Sequence, residues 1–320
     1  MNLWRLIGIR IALGAFTLLL VSALIYVVVG VLPGNIAVAV LGRNSTLQAR
    51  HLFDLRLHLN EPVWQRYIQW LGGALQGKLG ESITTGSSVR SLIVPALFAS
   101  GKLALFALVL YVPITLSMAL IGALWAGRAP DAVTSTLTLV GLSLPDFVIG
   151  TILIVLFGVV LPWFPVLAVG EGSGFWSTVH AITLPAVTLA VVMAAYSTRM
   201  LRGSLIEVLD SQFIRTAVLK GTKRWRVVAR HALPNAIVPT LNVTALNLTY
   251  LIGGVVVVEV VFSYPGLGML LVNSIAIQDL PVVEVATLIA SGVYIAANVV
   301  SDVVAVLVTP RLRYSQSSRG

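Results

Sequence analysis

Long apolar runs limit what this chain can fold into. Residues Ile11–Leu32, Lys102–Trp125, Val133–Leu161, Val179–Met200, Ala236–Phe262 and Pro281–Val308 are predominantly apolar, and each reaches the ~20 residues a helix needs to cross about 30 Å of hydrocarbon. Only 10% of residues are charged and 58% are hydrophobic, where an ordinary soluble domain has about 25% charged. The expected fold class is therefore an all-α integral membrane protein with six transmembrane helices.

The first run follows Arg5 and Arg10. The apolar region of a cleaved signal peptide would be about 7–15 residues and end in small residues. This run is longer and ends in Leu32-Pro33-Gly34, so an uncleaved span is expected. From Pro33 to about Ser100 the chain turns polar. Thr46–Leu57 reads as an amphipathic helix, and Pro62 suits the first turn of another with Val63, Tyr67, Trp70, Leu71 and Leu75 on one face. The result is a small extracytoplasmic helical segment whose Trp and Tyr side chains serve as interfacial anchors.

A net charge of +9 in a soluble protein would suggest nucleic acid. Here a large share of the basic residues lies in loops beside apolar runs, and membrane topology accounts for them, so no nucleic-acid partner is expected. The connection at Gly127–Asp131 and the tail after Pro310 carry Arg128, Arg311, Arg313 and Arg319, whereas Pro162–Thr178 and Ser263–Leu280 carry neither Lys nor Arg. That asymmetry places both termini in the cytoplasm. There are no cysteines, which excludes disulfides, thiolate metal sites and cysteine nucleophiles.

One polar, basic stretch interrupts the second half, Gln212–Pro239. It reads as two short helices. Asp210 or Ser211 can cap the first, and Leu205, Leu209, Phe213 and Ala217 recur at fourfold spacing as an apolar stripe. Gly221 can end that helix in a left-handed conformation. Thr222 can cap the second, which carries Lys223, Arg224, Arg226 and Arg230 until Pro234 and Pro239 limit or kink the helix beyond them.

This stretch resembles the cytoplasmic signature loop of ABC importer permeases, written E-A-A, three residues, Gly, nine residues, I-x-L-P. Arg215, Thr216 and Ala217 occupy the triplet, Gly221 follows after three residues, and His231, Leu233 and Pro234 follow after nine more. Arg215 and His231 depart from the general pattern, and both departures are similar to the dipeptide, oligopeptide and nickel branch. Further stretches in order look like that branch: Leu32-Pro33-Gly34, Gly77-Lys78-Leu79-Gly80, Leu142-Ser143-Leu144-Pro145, Arg199-Met200-Leu201-Arg202, Glu259-Val260-Val261-Phe262, Pro265-Gly266-Leu267-Gly268 and Pro310-Arg311. Asn35, where an acidic residue is frequent, is a minor departure.

The resemblance implies a type I ABC importer permease fold. It divides the chain into a tail and first span (1–32), the extracytoplasmic segment (33–100), a five-span core (101–310) with an ATPase-docking loop (203–235), and a cytoplasmic tail (311–320). It implies a non-catalytic subunit of a bacterial-type inner membrane, binding no cofactor itself, with ATP and Mg used by partners. Those partners are two cytoplasmic ABC ATPase subunits or domains, a second homologous six-span permease, an extracytoplasmic substrate-binding protein and membrane lipid. Di- or oligopeptides are the implied substrate; nickel chelates, glutathione or another small solute fit the same role.

Motif chemistry adds exclusions. No G-x-x-x-x-G-K-[ST] loop, H-E-x-x-H pair or G-x-S-x-G elbow occurs, so ATP hydrolysis is not expected in this chain. Two acids stand near or within spans. Glu259 ends the fifth and Asp302 lies inside the sixth, where a bare carboxylate costs roughly 2.5–3.5 kcal/mol. Asp302 reads either as an interhelical polar clamp and Glu259 as hydrogen-bonded to the Ser263–Gly268 turn, or both, with Pro265, Gly266 and Gly268, as a pathway or gate. An ion-gradient-driven secondary transporter is the alternative class, with Glu259 and Asp302 as ion sites. Prolines 113, 145 and 185 mark kinks or span ends, and Gly122, Gly253 and Gly254 allow close helix approach.

Overall fold

The computed structural model describes residues 3–31, 45–56, 61–168 and 174–308. The Leu32–Pro33–Gly34 stretch, Asn35, Leu57, Pro310–Arg311 and the tail arginines lie outside the described residues. Within them the helices are α1 (Leu3–Val31), α2 (Leu47–Arg56), α3 (Val63–Leu75), α4 (Val89–Leu124), α5 (Ala129–Ser143), α6 (Asp146–Leu153), α7 (Phe175–Leu209), α8 (Gln212–Leu219), α9 (Arg224–Val227), α10 (Leu233–Val261), α11 (Leu267–Ala276) and α12 (Leu280–Val308). A π-helical stretch, Ile154–Val160, continues α6, and a second, Val228–Ala232, joins α9 to α10.

Five helices are long and apolar enough to cross a membrane, and the bent pair α5–α6 makes a sixth. Two expectations need correction. The second run starts at Val89 rather than Lys102, giving a 36-residue helix. The third run is not one helix: α5 and α6 meet at 118°. Pro145 has no N–H to continue the ladder, and Leu144 before it takes the extended conformation (φ −97°, ψ 137°) that a following proline favours. Pro113 and Pro185, by contrast, lie inside α4 and α7, which continue through them.

The chain forms two compact units. One holds residues 1–7, 101–264 and 296–320; the other holds 8–100 and 265–295. In the first, α7 is central, packing on α10, α5 and α6. Its buried face is rich in small residues, including Ala181, Ala186, Ala190, Ala194 and Ala195. Helices in lipid gain little from hydrophobic exclusion, so small side chains that bring backbones together supply dispersion contacts instead. Gly141 shows the tightness, since a Cβ there would stand 3.1 Å from the Ala195 Cβ. A Cβ on Gly150 would stand 3.1 Å from the Phe262 ring.

The second unit contains the segment joining the first two spans. Thr46 caps α2 rather than entering it, its Oγ1 accepting from the Ala49 N–H at 3.2 Å. Pro62 precedes α3 at the cap position. On α3 the side chains of Val63, Tyr67, Trp70 and Leu71 are half-buried as expected, but Leu75 is 82% exposed at the helix end. Tyr26 of α1 meets Tyr67 and Trp70 at ring separations of 5.5 and 5.8 Å. The Gly77-Lys78-Leu79-Gly80 stretch is a turn in which both glycines have positive φ, 77° and 83°, a conformation costly for residues with a Cβ. Asp279 then holds the next loop, accepting hydrogen bonds from the Ser82 and Thr84 hydroxyls and from the Ile83 N–H. Val89, Ile93, Leu267, Val282, Val285 and Ala286 form the apolar core beneath.

Candidate functional site

The basic stretch folds as a helix–turn–helix. α8 ends with two backbone bonds that define its stop: the Gly221 N–H donates to the Val218 carbonyl at 2.9 Å and the Thr222 N–H to the Ala217 carbonyl at 3.2 Å. These reversed bonds satisfy carbonyls left over by the helix and require a left-handed residue at Gly221, whose φ is +77°. No atom outside its chain neighbours lies within 4 Å of a Cβ built on Gly221. The glycine is therefore demanded by backbone conformation alone.

Three local expectations are corrected. Thr222 does not cap α9, whose cap position is Lys223 and has no side-chain cap bond. Ser211 takes the cap position of α8, yet no side-chain cap bond forms there either. Its hydroxyl instead turns back to the Val208 carbonyl at 2.5 Å. Finally, Phe213 leaves the apolar stripe. The helix breaks at Asp210–Ser211, which resets the angular register, so Ile214 is buried at 3% exposure while Phe213 is 49% exposed.

Beneath the loop, Ile214, Val227, Ala232 and Ala236 pack with Ala119 and Ala123 of α4 and with Leu201 and Leu205 of α7. Above it, Phe213, Val218, Leu219 and Trp225 are exposed, Leu219 at 87%. They stand among exposed Arg215, Lys220, Lys223, Arg224, Arg226 and Arg230. Of the remaining signature residues, Thr216 and Pro234 are exposed, and Ala217, His231 and Leu233 are half-buried. The Asn235 side chain donates to the His231 carbonyl at 2.7 Å. The π-helical stretch ends just before Pro234, where the missing proline N–H already interrupts the α-helical ladder.

Two polar joints escaped the sequence reading. Arg202 of α7 binds Asp131 of α5 through two parallel bonds, Nε to Oδ1 at 2.6 Å and an amino nitrogen to Oδ2 at 2.7 Å. Asp131 also accepts from the Gly127 N–H at 2.9 Å and the Ser135 hydroxyl at 3.3 Å. The second joint is buried among α4, α7 and α10. Tyr111 Oη donates to Ser197 Oγ at 2.8 Å and lies 2.9 Å from Thr244 Oγ1, while Asn247 donates to the Met193 carbonyl and to Ser197. Nearby in sequence on the same helices, the hydroxyls of Thr115, Thr198 and Thr240 are buried without partners. A lone Asp three residues after Arg128 was the only sequence signal for the first joint; the second left none, because its members are ordinary polar residues scattered over three helices.

The candidate path residues divide between the units. Glu259 is fully buried in the first unit, where its charge adds to burial in raising Tyr264 to about 12. Asp302 is half-buried on α12 in that unit. Pro265, Gly266 and Gly268 belong to the second, where Gly266 precedes α11 and the Ser100 hydroxyl accepts from the Leu267 N–H at 2.8 Å. Asp146, which sequence reading passed over, accepts from the Tyr250 hydroxyl just after the break in the third span. Among the described residues no group of three or more His, Cys, Asp or Glu side chains is placed to hold a metal ion.

Membrane-length helices, with a helix–turn–helix packed on two of them, define a polytopic membrane component. The chain matches the family described as binding-protein-dependent transport system inner membrane component over residues 112–314, and the description of that component's N-terminal part over residues 3–119. It is 35% identical over 298 residues to a probable peptide ABC transporter permease protein of Sinorhizobium fredii, covering 92% of this chain and 95% of the relative. It is also 35% identical over 298 residues to a glutathione transport system permease protein of Escherichia coli O6:H1, covering 93% and 95%. The chain belongs to the binding-protein-dependent transport system inner membrane component family. It is the membrane-spanning permease of an ABC importer, a non-catalytic component of a complex with ATPase and substrate-binding partners.

Proposed function

We propose that the chain carries di- or oligopeptides inward, and that the α8–α9 turn is the part through which a cytoplasmic ATPase drives it. The observation that supports this most is the exposed face of Phe213, Val218, Leu219 and Trp225 ringed by basic side chains. Apolar groups on a span are covered by lipid, but these stand on a charged loop, where a protein partner is the cover that suits them. Beneath that face the Ile214 and Val227 core joins the loop to α4 and α7, so a push on the turn is delivered to spans rather than absorbed. Closure of two ATPases around ATP and Mg would then shift the spans between inward-facing and outward-facing arrangements.

In this reading both termini and residues 203–235 are cytoplasmic, and residues 33–100 face the binding protein together with Pro265, Gly266 and Gly268. A second six-span permease completes the pathway. Glu259 and Asp302 line or brace it. Peptide is preferred over glutathione as substrate on the name of one relative, and glutathione, itself a short peptide, fits the name of the other.

Gly221→Val tests the coupling role. Valine has no clash to meet at that position, so its effect comes from forcing a β-branched residue to positive φ, which costs at least about 1–2 kcal/mol and is relieved by unwinding the turn. The expected outcome is a chain that still inserts in the membrane but loses the co-purified ATPase, with transport uncoupled from ATP hydrolysis. Full ATPase recovery and unchanged coupling would overturn the assignment.

A further inference from the structure

The second unit holds a half-open cavity of about 250 Å³ lined by, among others, Tyr26 of α1, Arg66, Gln69 and Trp70 of α3, Lys78 of the following turn, and Glu284 of α12. One of these groups is chemically incomplete. Glu284 is only 8% exposed, and among the described residues its carboxylate takes no hydrogen bond, with Arg66 acting on it only electrostatically. Such a group is costly to leave unmade, and native folds keep few of them.

We infer that this cavity binds a small zwitterionic solute, an amino acid or the end of a short peptide, with its ammonium against Glu284 and its carboxylate between Arg66 and Lys78. The alternatives fail on charge. A plain cation satisfies Glu284 but meets Arg66 and Lys78. A plain anion suits those two cations but meets the Glu284 carboxylate. Only a ligand with both charges suits all three.

The walls agree with this. Trp70 packs at 5.8 and 6.2 Å from the rings of Tyr26 and Tyr67, and the Arg66 guanidinium lies 5.7 Å from the Tyr26 ring centre. The aromatic cluster therefore fixes one cation in place before any ligand arrives, and offers π faces to an ammonium. The volume is several times the ~30 Å³ share of one water and just below the about 300 Å³ at which drug-sized sites begin, which suits a solute of amino-acid to dipeptide size. The inference rests on the proposed peptide-importer reading only for the choice of solute.

Its test is isothermal calorimetry of L-alanyl-L-alanine against the full chain in lipid nanodiscs, beside the N-acetylated and the C-terminally amidated forms. Saturable binding is expected, weakened about tenfold or more by either block and by Glu284→Gln. Arg66→Gln, which removes one of the two cations, should weaken it severalfold. Absence of saturable binding, or undiminished affinity for either blocked peptide, overturns the site. Because the blocked ligands leave the protein untouched, the test stands whether or not Glu284→Gln folds. ATP-driven uptake by the assembled complex, measured in parallel, reports on the permease reading: uptake that persists without binding here removes this site and nothing else.

Discussion

Asp131 and Glu284 are acids near helix starts, each under the influence of an arginine. Around Asp131 the valences are filled: Arg202 gives it two bonds, and Gly127 and Ser135 supply others. Around Glu284 the fold brings an arginine and a lysine to the same cavity and stops short of a bond. A carboxylate whose partners are all supplied by the chain is a joint, because moving it costs every one of those bonds. One whose partners are missing has chemistry left for something else. Residue type alone separates neither case.

Breaking the joint should give the largest effect. Arg202→Leu leaves Asp131, 9% exposed, without its counter-charge, while the Arg202 side chain itself keeps 29% exposure. The loss should be about 2–3 kcal/mol, below the roughly 3–5 of a fully buried pair. Thermal unfolding of the purified chain in one detergent would measure it. The double variant Asp131→Leu/Arg202→Leu should recover part of the loss, because no lone charge is then buried. A double variant no better than the single one would show that the pair holds α5 to α7 by geometry more than by charge balance.

Asp146 tests the same contrast at an exposed site with a neutral donor. Tyr250→Phe keeps the ring and deletes the hydroxyl that reaches this carboxylate. One charge-assisted bond is lost, and the destabilisation expected is about 1–2 kcal/mol. The same thermal comparison measures it. No change would mean that Asp146 is supported by water from outside the bundle and not by Tyr250.

The contrast also explains what was legible in the sequence. Six spans could be read because length and hydropathy are summed over twenty or more residues, so single misjudged positions do not matter. The Gly221 turn was legible because left-handed backbone restricts residue type so strongly. The bend in the third span was marked by Pro145 but not its size, since a proline fixes where a ladder breaks and tertiary packing fixes the angle. Phe213 was misplaced because fourfold spacing holds only along an unbroken helix, and the break at Asp210–Ser211 turned the face toward Ile214. Asp131 with Arg202 and Glu284 with Arg66 are brought together from segments far apart in sequence, and pattern carries no record of that.

Thr222 gives the smallest expected effect and the sharpest check on counting partners rather than residue types. By its position after Gly221 it reads as a helix cap, a role whose loss ordinarily costs about 0.5–2 kcal/mol. Here its hydroxyl makes no hydrogen bond among the described residues, and what it contributes is its backbone N–H, donated to the Ala217 carbonyl. Thr222→Ala preserves that N–H, so stability should stay within about 0.5 kcal/mol of wild type. Thr222→Pro deletes the N–H and should loosen α8 at its end, lowering ATPase recovery in the same direction as Gly221→Val. If the alanine variant alone lost 1 kcal/mol or more by roughly the cap scale, the loop would close through its side chain after all, and the backbone account of the turn would have to be given up.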